Sequence, residues 1–374
     1  MGTITAPTLD QLNALVAPYL DAHPEGLAFA IGYATGTSQW QPNVYVAGSV
    51  LNQYHFDLGL SETTLFELGS LSKTFTATLC AYLGRTYNPT WETQTIREYS
   101  VNVGTQFYPI PLLALANYTS GLPTDNGSVP IVTLPDLLPT PYYPAAMLGY
   151  LKGVGTATWK PTDIGKAYTY SNLAFSILAQ LLPQFDASTA SQDLSELMAE
   201  LVFGPLHMNN TAYFGEIFLD QLPVGYTYPG GSAAAPGHNV FPAYYGGGGV
   251  VSTPSDMLQW LQFNMGMVSN PALHPILKKT QTPSTKVMTP TGGEMGLGWF
   301  LYGNWMQSGK TVLNKDGSLA GANSFMLFVD WVGTGAPSGA GVFVLTNSDG
   351  LTNGSESAVQ YIAQAVLKIM LGIS

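Results

Sequence analysis

Apolar positions recur with a helical period at the start of the chain. Between Thr8 and Leu20, the residues Leu9, Leu12, Leu15, Val16 and Tyr19 fall on one side, which predicts an amphipathic helix. The apolar run Gly26 to Tyr33 then reads as a buried strand, and Val44 to Gly48 as its hairpin partner. From Ser70 to Leu83 the period turns helical again, with Leu71, Phe75, Leu79, Cys80 and Leu83 on one side. Residues from about 85 to 220 carry short helical patterns broken by Pro and Gly, including Leu112 to Ala116, Ala145 to Leu151 and Asn172 to Leu182. Thr253, Pro254 and Asp256 read as an N-cap, a first helical residue and an acidic third position, opening a helix over Met257 to Phe263. The segments Gly298 to Tyr302, Ser324 to Val329 and Gly341 to Thr346 are strand-like. A closing helix over about Glu356 to Leu371 turns Val359, Ile362, Ala363, Val366 and Ile369 inward.

Strands at both ends and helices in the middle predict an α/β fold. Its antiparallel sheet comes from N- and C-terminal segments flanked by helices, with an inserted mostly α-helical region. The expected division is an α/β domain over 1–84 and 220–374 and an inserted helical domain over 85–219, with the active site in the groove between them. No internal repeat or low-complexity linker interrupts the 374 residues.

Composition narrows the function. Hydrophobic residues make up 46%, with 7 Trp, 21 Tyr and 16 Phe, which excludes a disordered chain. Twelve Lys plus Arg against 23 Asp plus Glu give a formal net charge of −11. So few scattered cations build no stripe for a polyanion, so nucleic acid is excluded as a partner. The one cysteine, Cys80, allows neither an internal disulfide nor a thiolate cluster, and its apolar helical setting predicts a buried structural thiol. No apolar run reaches the roughly 18 residues of a membrane span. The start lacks a basic-then-apolar leader, so the expected location is cytoplasmic, or secreted or periplasmic if the sequence is a mature form.

Three short motifs could carry chemistry. In Gly69-Ser70-Leu71-Ser72-Lys73, three positions are nearly one helical turn, so Ser70 and Lys73 share a face. A serine hydroxyl needs a base, and an amine is one at neutral pH when desolvation or a neighbouring cation lowers its pKa. A helix N-terminus also aims free backbone N–H groups at a developing oxyanion. The plain alternative is an N-cap serine beside a solvated lysine. In Tyr170-Ser171-Asn172, a tyrosine depressed by cations could relay a proton and the Asn could orient the lysine. A second Y-x-N, Tyr302-Gly303-Asn304, is set aside because it falls where a strand ends in a turn. In Lys315-Asp316-Gly317-Ser318, a strand edge could offer a cation and a backbone N–H to a substrate lying alongside. Its plain alternative is a hairpin turn, since Asp-Gly is a common turn dipeptide.

The order S-x-x-K, then Y-x-N about 100 residues on, then K-x-G about 145 further, resembles the serine β-lactamase and penicillin-binding-protein superfamily. Within it the likeness is to the branch of class C β-lactamases, D,D-peptidases and family VIII esterases. Phe66 to Thr76 resembles that family's nucleophile segment, and Leu112 to Pro123 its following helix and turn. Tyr168 to Leu182, Val202 to Met208, the Gly-rich stretch up to Met257 and Gly296 to Trp299 continue in the same order, so the likeness covers about residues 8 to 371. It implies that Ser70 forms an acyl-enzyme and Lys73 accepts its proton. It also implies that Tyr170 serves the leaving group and the deacylating water. Asn172 would orient Lys73 and the acyl amide, Lys315 would keep Tyr170 reactive, and the N–H groups of Ser70 and Ser318 would form the oxyanion hole. Neither a metal nor an organic cofactor is implied.

One position departs from the family pattern. Asp316 stands where family members carry Thr or Ser, whose hydroxyl helps bind a substrate carboxylate. An acidic group there repels a carboxylate and pairs with Lys315 instead. The expectation is a serine hydrolase for a small-molecule ester or amide without that carboxylate, or a transacylase if an alcohol or amine replaces water. The alternatives are a genuine class C β-lactamase or D-amino-acid peptidase, and a non-catalytic binding or sensor module on the same scaffold. A Ser-His-Asp hydrolase is disfavoured, because there is no G-x-S-x-G elbow and none of the five histidines lies in a motif. A zinc enzyme is disfavoured by the lack of H-E-x-x-H and of paired Cys. Asp316, Gly317 and Tyr245 are expected to touch substrate. The aromatics Tyr142, Tyr143, Tyr226, Tyr228, Tyr244 and Tyr245 are candidate pocket walls, with the Gly-rich segment 219–249 at the edge of the cleft. The oligomeric state stays open.

Overall fold

The computed structural model of the chain describes residues 4–23, 25–36, 41–99, 103–124, 159–214, 221–228, 242–332 and 339–373. Helix α1 (Leu9–Ala22) opens with Thr8 as N-cap, its side chain accepting from the Gln11 amide while the Gln11 side chain accepts from Thr8. Strands β1 (Ala28–Ala34) and β2 (Asn43–Gly48) form the hairpin expected from their apolar runs. After the two-residue strand β3 (Phe66–Glu67) comes helix α2 (Ser72–Thr86). The middle of the chain supplies α3 (Leu112–Ala116), α4 (Asn172–Leu181) and α5 (Leu194–Met198). Strand β5 (Val250–Ser252) pairs with both β3 and β4 (Ala212–Tyr213) in a small sheet of order β3-β5-β4.

The C-terminal part adds α6 (Pro254–Asn264), capped by Thr253 as its sequence predicts, and α7 (His274–Thr280). It then lays down β6 (Glu294–Met295), β7 (Phe300–Tyr302), β8 (Val312–Leu319), β9 (Ala322–Val329) and β10 (Gly341–Thr346), and closes with α8 (Ala358–Leu371). The main sheet has seven strands in the order β2-β1-β10-β9-β8-β7-β6, antiparallel throughout. The first strand of the chain therefore lies beside the last strand of this sheet, Phe29 opposite Thr346 and Ile31 opposite Val344.

Strand alternation divides the core in two. Phe29, Ile31, Tyr33, Phe325, Leu327, Val342 and Val344 face α1 and α8, meeting Leu12, Val16, Ile362 and Val366. Ala30, Met326, Phe328, Phe343 and Leu345 face the other way, against α2 and α6. Burial on both faces is why these strands read as continuous apolar runs. Helix α2 is buried almost all round, so its polar residues need internal partners. Thr76 donates to the Gly246 carbonyl at 2.7 Å, Thr74 to Leu71 at 2.8 Å, and the Trp260 ring N–H donates to Thr74 at 3.2 Å. Cys80 is buried in the same helix, and desolvation pushes its thiol far above the usual range. Among the described residues no helix is long and apolar enough to cross a membrane.

Candidate active site

The chain does not enter α2 directly. Gly69–Leu71 form a 3₁₀ turn ahead of it, and Gly69 takes a left-handed φ of +53°. Ser70 sits in that turn and makes no side-chain capping bond, so it is not the N-cap that the plain reading would have it. One turn on, Lys73 is 0% exposed. Its ammonium donates to Ser70 Oγ at 3.0 Å, to Asn172 Oδ1 at 2.6 Å and to the Gly247 carbonyl at 2.6 Å. Three acceptors for three N–H groups is what lets a lysine sit inside the protein. The solvated-lysine alternative is thereby excluded.

Asn172 is the first residue of α4, and the N-cap is Ser171, whose hydroxyl accepts from the Ala174 amide at 2.9 Å. Tyr170 precedes that cap, and its ring lies 4.8 Å from the Lys73 ammonium and 5.3 Å from that of Lys315. Tyr118 stacks on the same ring, centroids 5.6 Å apart and planes 14° apart, and donates its hydroxyl to the Gly298 carbonyl at 3.0 Å.

The third motif is strand, not turn. Lys315 to Ser318 lie within β8, paired with β9 in the register Lys315 to Met326 and Ser318 to Asn323. The reversal comes later, at Ala320 and Gly321, where Gly321 has a φ of +77°. Gly317 passes close over the nucleophile turn: a Cβ there would stand 2.0 Å from the Leu68 carbonyl and 3.0 Å from the Leu71 amide. A Cβ on Gly69 would stand 2.8 Å from the Ser318 amide nitrogen. Two glycines back to back bring the Ser318 backbone beside Ser70. Lys315 is 0% exposed and donates to its neighbour's carbonyl at 2.6 Å and to Asp316 Oδ1 at 2.8 Å. The Asp316 side chain is 60% exposed.

Charge placement explains how the groups titrate. Burial lowers the Lys73 pKa and the nearby Lys315 lowers it further, while Tyr170 works against both. Burial opposes ionisation of Tyr170, but Lys315 and Lys73 together outweigh it, and its hydroxyl is held below the usual tyrosine range. Loss of solvent disfavours the Lys315 charge, and Asp316 and Tyr170 more than restore it, so Lys315 stays a fixed cation. Solvent loss likewise disfavours the Asp316 carboxylate, and Lys315 beside it holds its pKa below the usual range. Tyr118 and Tyr168 shift the opposite way, pushed up by burial and by Tyr170. Lys73 and Tyr170 are thus two groups beside Ser70 whose pKa values are both held below their ordinary ranges.

The beta-lactamase family model matches residues 12–367. The chain belongs to the beta-lactamase family. That puts it in the β-lactamase/transpeptidase-like serine hydrolase superfamily. A beta-lactamase of Pseudomonas fluorescens is 26% identical over 326 residues, 83% of this chain and 80% of that protein. The D-alanyl-D-alanine-carboxypeptidase/endopeptidase AmpH of Escherichia coli is 33% identical over 154 residues, 41% of this chain and 36% of that one. Among solved structures, an octameric penicillin-binding protein homologue from Pyrococcus abyssi superposes with a TM-score of 0.76 at 18% identity, covering 98% of this chain and 78% of the other. A class C beta-lactamase gives 0.71 at 20% identity, covering 96% and 95%. Both share the fold of this family member.

Ser70, Lys73, Tyr170, Asn172 and Lys315 come together from three separate stretches of the family fold. Of the expected aromatic wall, several described members have ring partners of their own. Tyr142 and Tyr143 lie outside the described residues. Tyr228 stacks on His23 at 3.9 Å beside α1 and on Tyr226 at 6.5 Å. Tyr245 stacks on Tyr213 at 5.1 Å, and its backbone leads into the glycine run that reaches Lys73. Two contributors were missed. The Gly247 carbonyl carries no side-chain signal, although the glycine run marked a close backbone approach. Tyr118 sits inside the segment Leu112 to Pro123, and only its stacking on Tyr170 reveals its part.

Proposed function

We propose that this beta-lactamase family member hydrolyses esters or amides that carry no carboxylate beside Asp316, through an acyl-enzyme on Ser70. The observation that carries this reading is the Asp316 side chain, ionised and 60% exposed, one residue past Lys315 on the strand beside the nucleophile. A substrate carboxylate lying along β8 would meet like charge there. In acylation the bond from Ser70 Oγ to the carbonyl carbon forms as the bond to the leaving group breaks. The serine proton passes through Lys73 and Tyr170 to the departing oxygen or nitrogen. Water then repeats the sequence in reverse and releases the acid, freeing Ser70. The Ser70 and Ser318 N–H groups are the proposed oxyanion donors. The groove between residues 85–219 and the α/β part is the proposed seat of substrate.

Initial rates on a short-chain p-nitrophenyl ester and on a chromogenic cephalosporin test this directly. Ester turnover should be fast and cephalosporin turnover slow. In Asp316→Thr the ratio should move toward the cephalosporin by about tenfold or more, the size of one removed like-charge contact. Efficient cephalosporin turnover by the unmodified enzyme would instead support a true β-lactamase, the reading that the relatives' names favour. Turnover that survives Ser70→Ala would overturn the nucleophile assignment.

A further inference from the structure

We propose that Asp316 selects substrates whose leaving group is cationic, an alkylammonium seated in the cavity beside β8. This rests on the acyl-enzyme reading above and goes on to name the chemistry of the departing group.

The cavity has a volume of about 810 Å³ and opens along Asp316, Gly317 and Ser318. Its walls include Tyr168, Phe300, Tyr302, Trp305 and Phe325, and Asp316 is its one Asp, Glu, Lys or Arg among the described residues. Aromatic faces around a single carboxylate form a surface that attracts a cation by charge and by ring quadrupole together. A neutral or anionic group would leave both unused. Lys315 takes Oδ1 of Asp316 at 2.8 Å, and the side chain remains 60% exposed toward the cavity, leaving room for a second positive group at the carboxylate. The net charge of −11 adds a long-range attraction for cations over the whole surface.

The side of the site is set by the strand. Asp316 and Ser318 alternate onto the face of β8 that Phe325, opposite Asp316, also takes, while Lys315, opposite Met326, belongs to the α2 face; the Lys315 ammonium links the two, bonding Asp316 Oδ1 at 2.8 Å and lying 5.3 Å from the Tyr170 ring. Tyr170 hands its proton to the leaving group, so the substituent reaching Asp316 belongs to the leaving alcohol or amine and not to the acyl part.

The test compares two esters of one acid, a choline ester and its neutral carbon isostere, the 3,3-dimethylbutyl ester. The unmodified enzyme should favour the choline ester in kcat/KM by on the order of tenfold, a preference that falls toward one in Asp316→Asn. A second measurement needs no variant: free choline should inhibit hydrolysis of the neutral ester competitively, and 3,3-dimethylbutanol far less. Ser70-dependent turnover of both esters at equal kcat/KM would overturn this inference and leave the acyl-enzyme standing. A preference retained in Asp316→Asn would overturn the assignment to Asp316. Turnover of neither ester, or turnover that survives Ser70→Ala, would overturn the underlying reading and this inference with it.

Discussion

Replacing Lys315 by Met should lower kcat/KM for a p-nitrophenyl ester by about 10²- to 10⁴-fold, the range spanned by positioned acid–base groups. It should also move the acid limb of the pH profile upward. The Lys315 ammonium stands 5.3 Å from the Tyr170 ring and is the larger of the two charges lowering that hydroxyl's pKa. Without it, burial dominates and the Tyr170 pKa rises. The proton-accepting form is then scarcer at any given pH, and activity appears only at higher pH. Methionine keeps the shape of the stem, and Asp316, 60% exposed, is solvated once its partner is gone, so the fold should survive. A rate loss with an unmoved acid limb would mean that Lys315 acts only by holding shape.

Gly317→Ala should be nearly as damaging for a different reason. The added methyl would stand 2.0 Å from the Leu68 carbonyl and 2.4 Å from Ser324 Oγ, which itself donates to that carbonyl at 2.7 Å. The nearest obstacle is backbone, so β8 must lift off the nucleophile turn. The expected cost is about 3 kcal/mol of stability. A displacement of about 1 Å in the Ser318 backbone should lower kcat about 100-fold. Thermal unfolding and initial rates would show both losses together. A variant that melts and turns over like the parent would mean that the interlock of Gly69 and Gly317 does not set the site.

Much of this arrangement was written locally in the chain. Helix α1, the β1–β2 hairpin and α6 after Thr253-Pro254 all follow from short-range signals, and the structure has each of them. Ser70 and Lys73 were legible because their spacing forces one face, and Asn172 because it opens a helix. Where the sequence misled, a long-range contact had overridden local preference. Asp316-Gly317 has the local propensity of a turn, the plain alternative to the strand edge read from the motif, yet pairing with β9 and contact with Leu68 keep it extended. The helix expected from Ser70 starts at Ser72, because left-handed Gly69 forces a tighter turn first. The Gly247 carbonyl and the Tyr118 ring reach the site only through packing of distant segments. The helix expected over Ala145 to Leu151 falls outside the described residues.

Whether Ser70 carries the acyl group is read straight from a mass measurement. The enzyme would be quenched in acid during steady turnover of a slow ester, weighed intact, then digested and its peptides sequenced. One added acyl mass is expected, confined to the peptide that contains Ser70 and absent from Ser70→Ala. An acyl group on any other residue, or one that persists in Ser70→Ala, would contradict the Ser70 assignment.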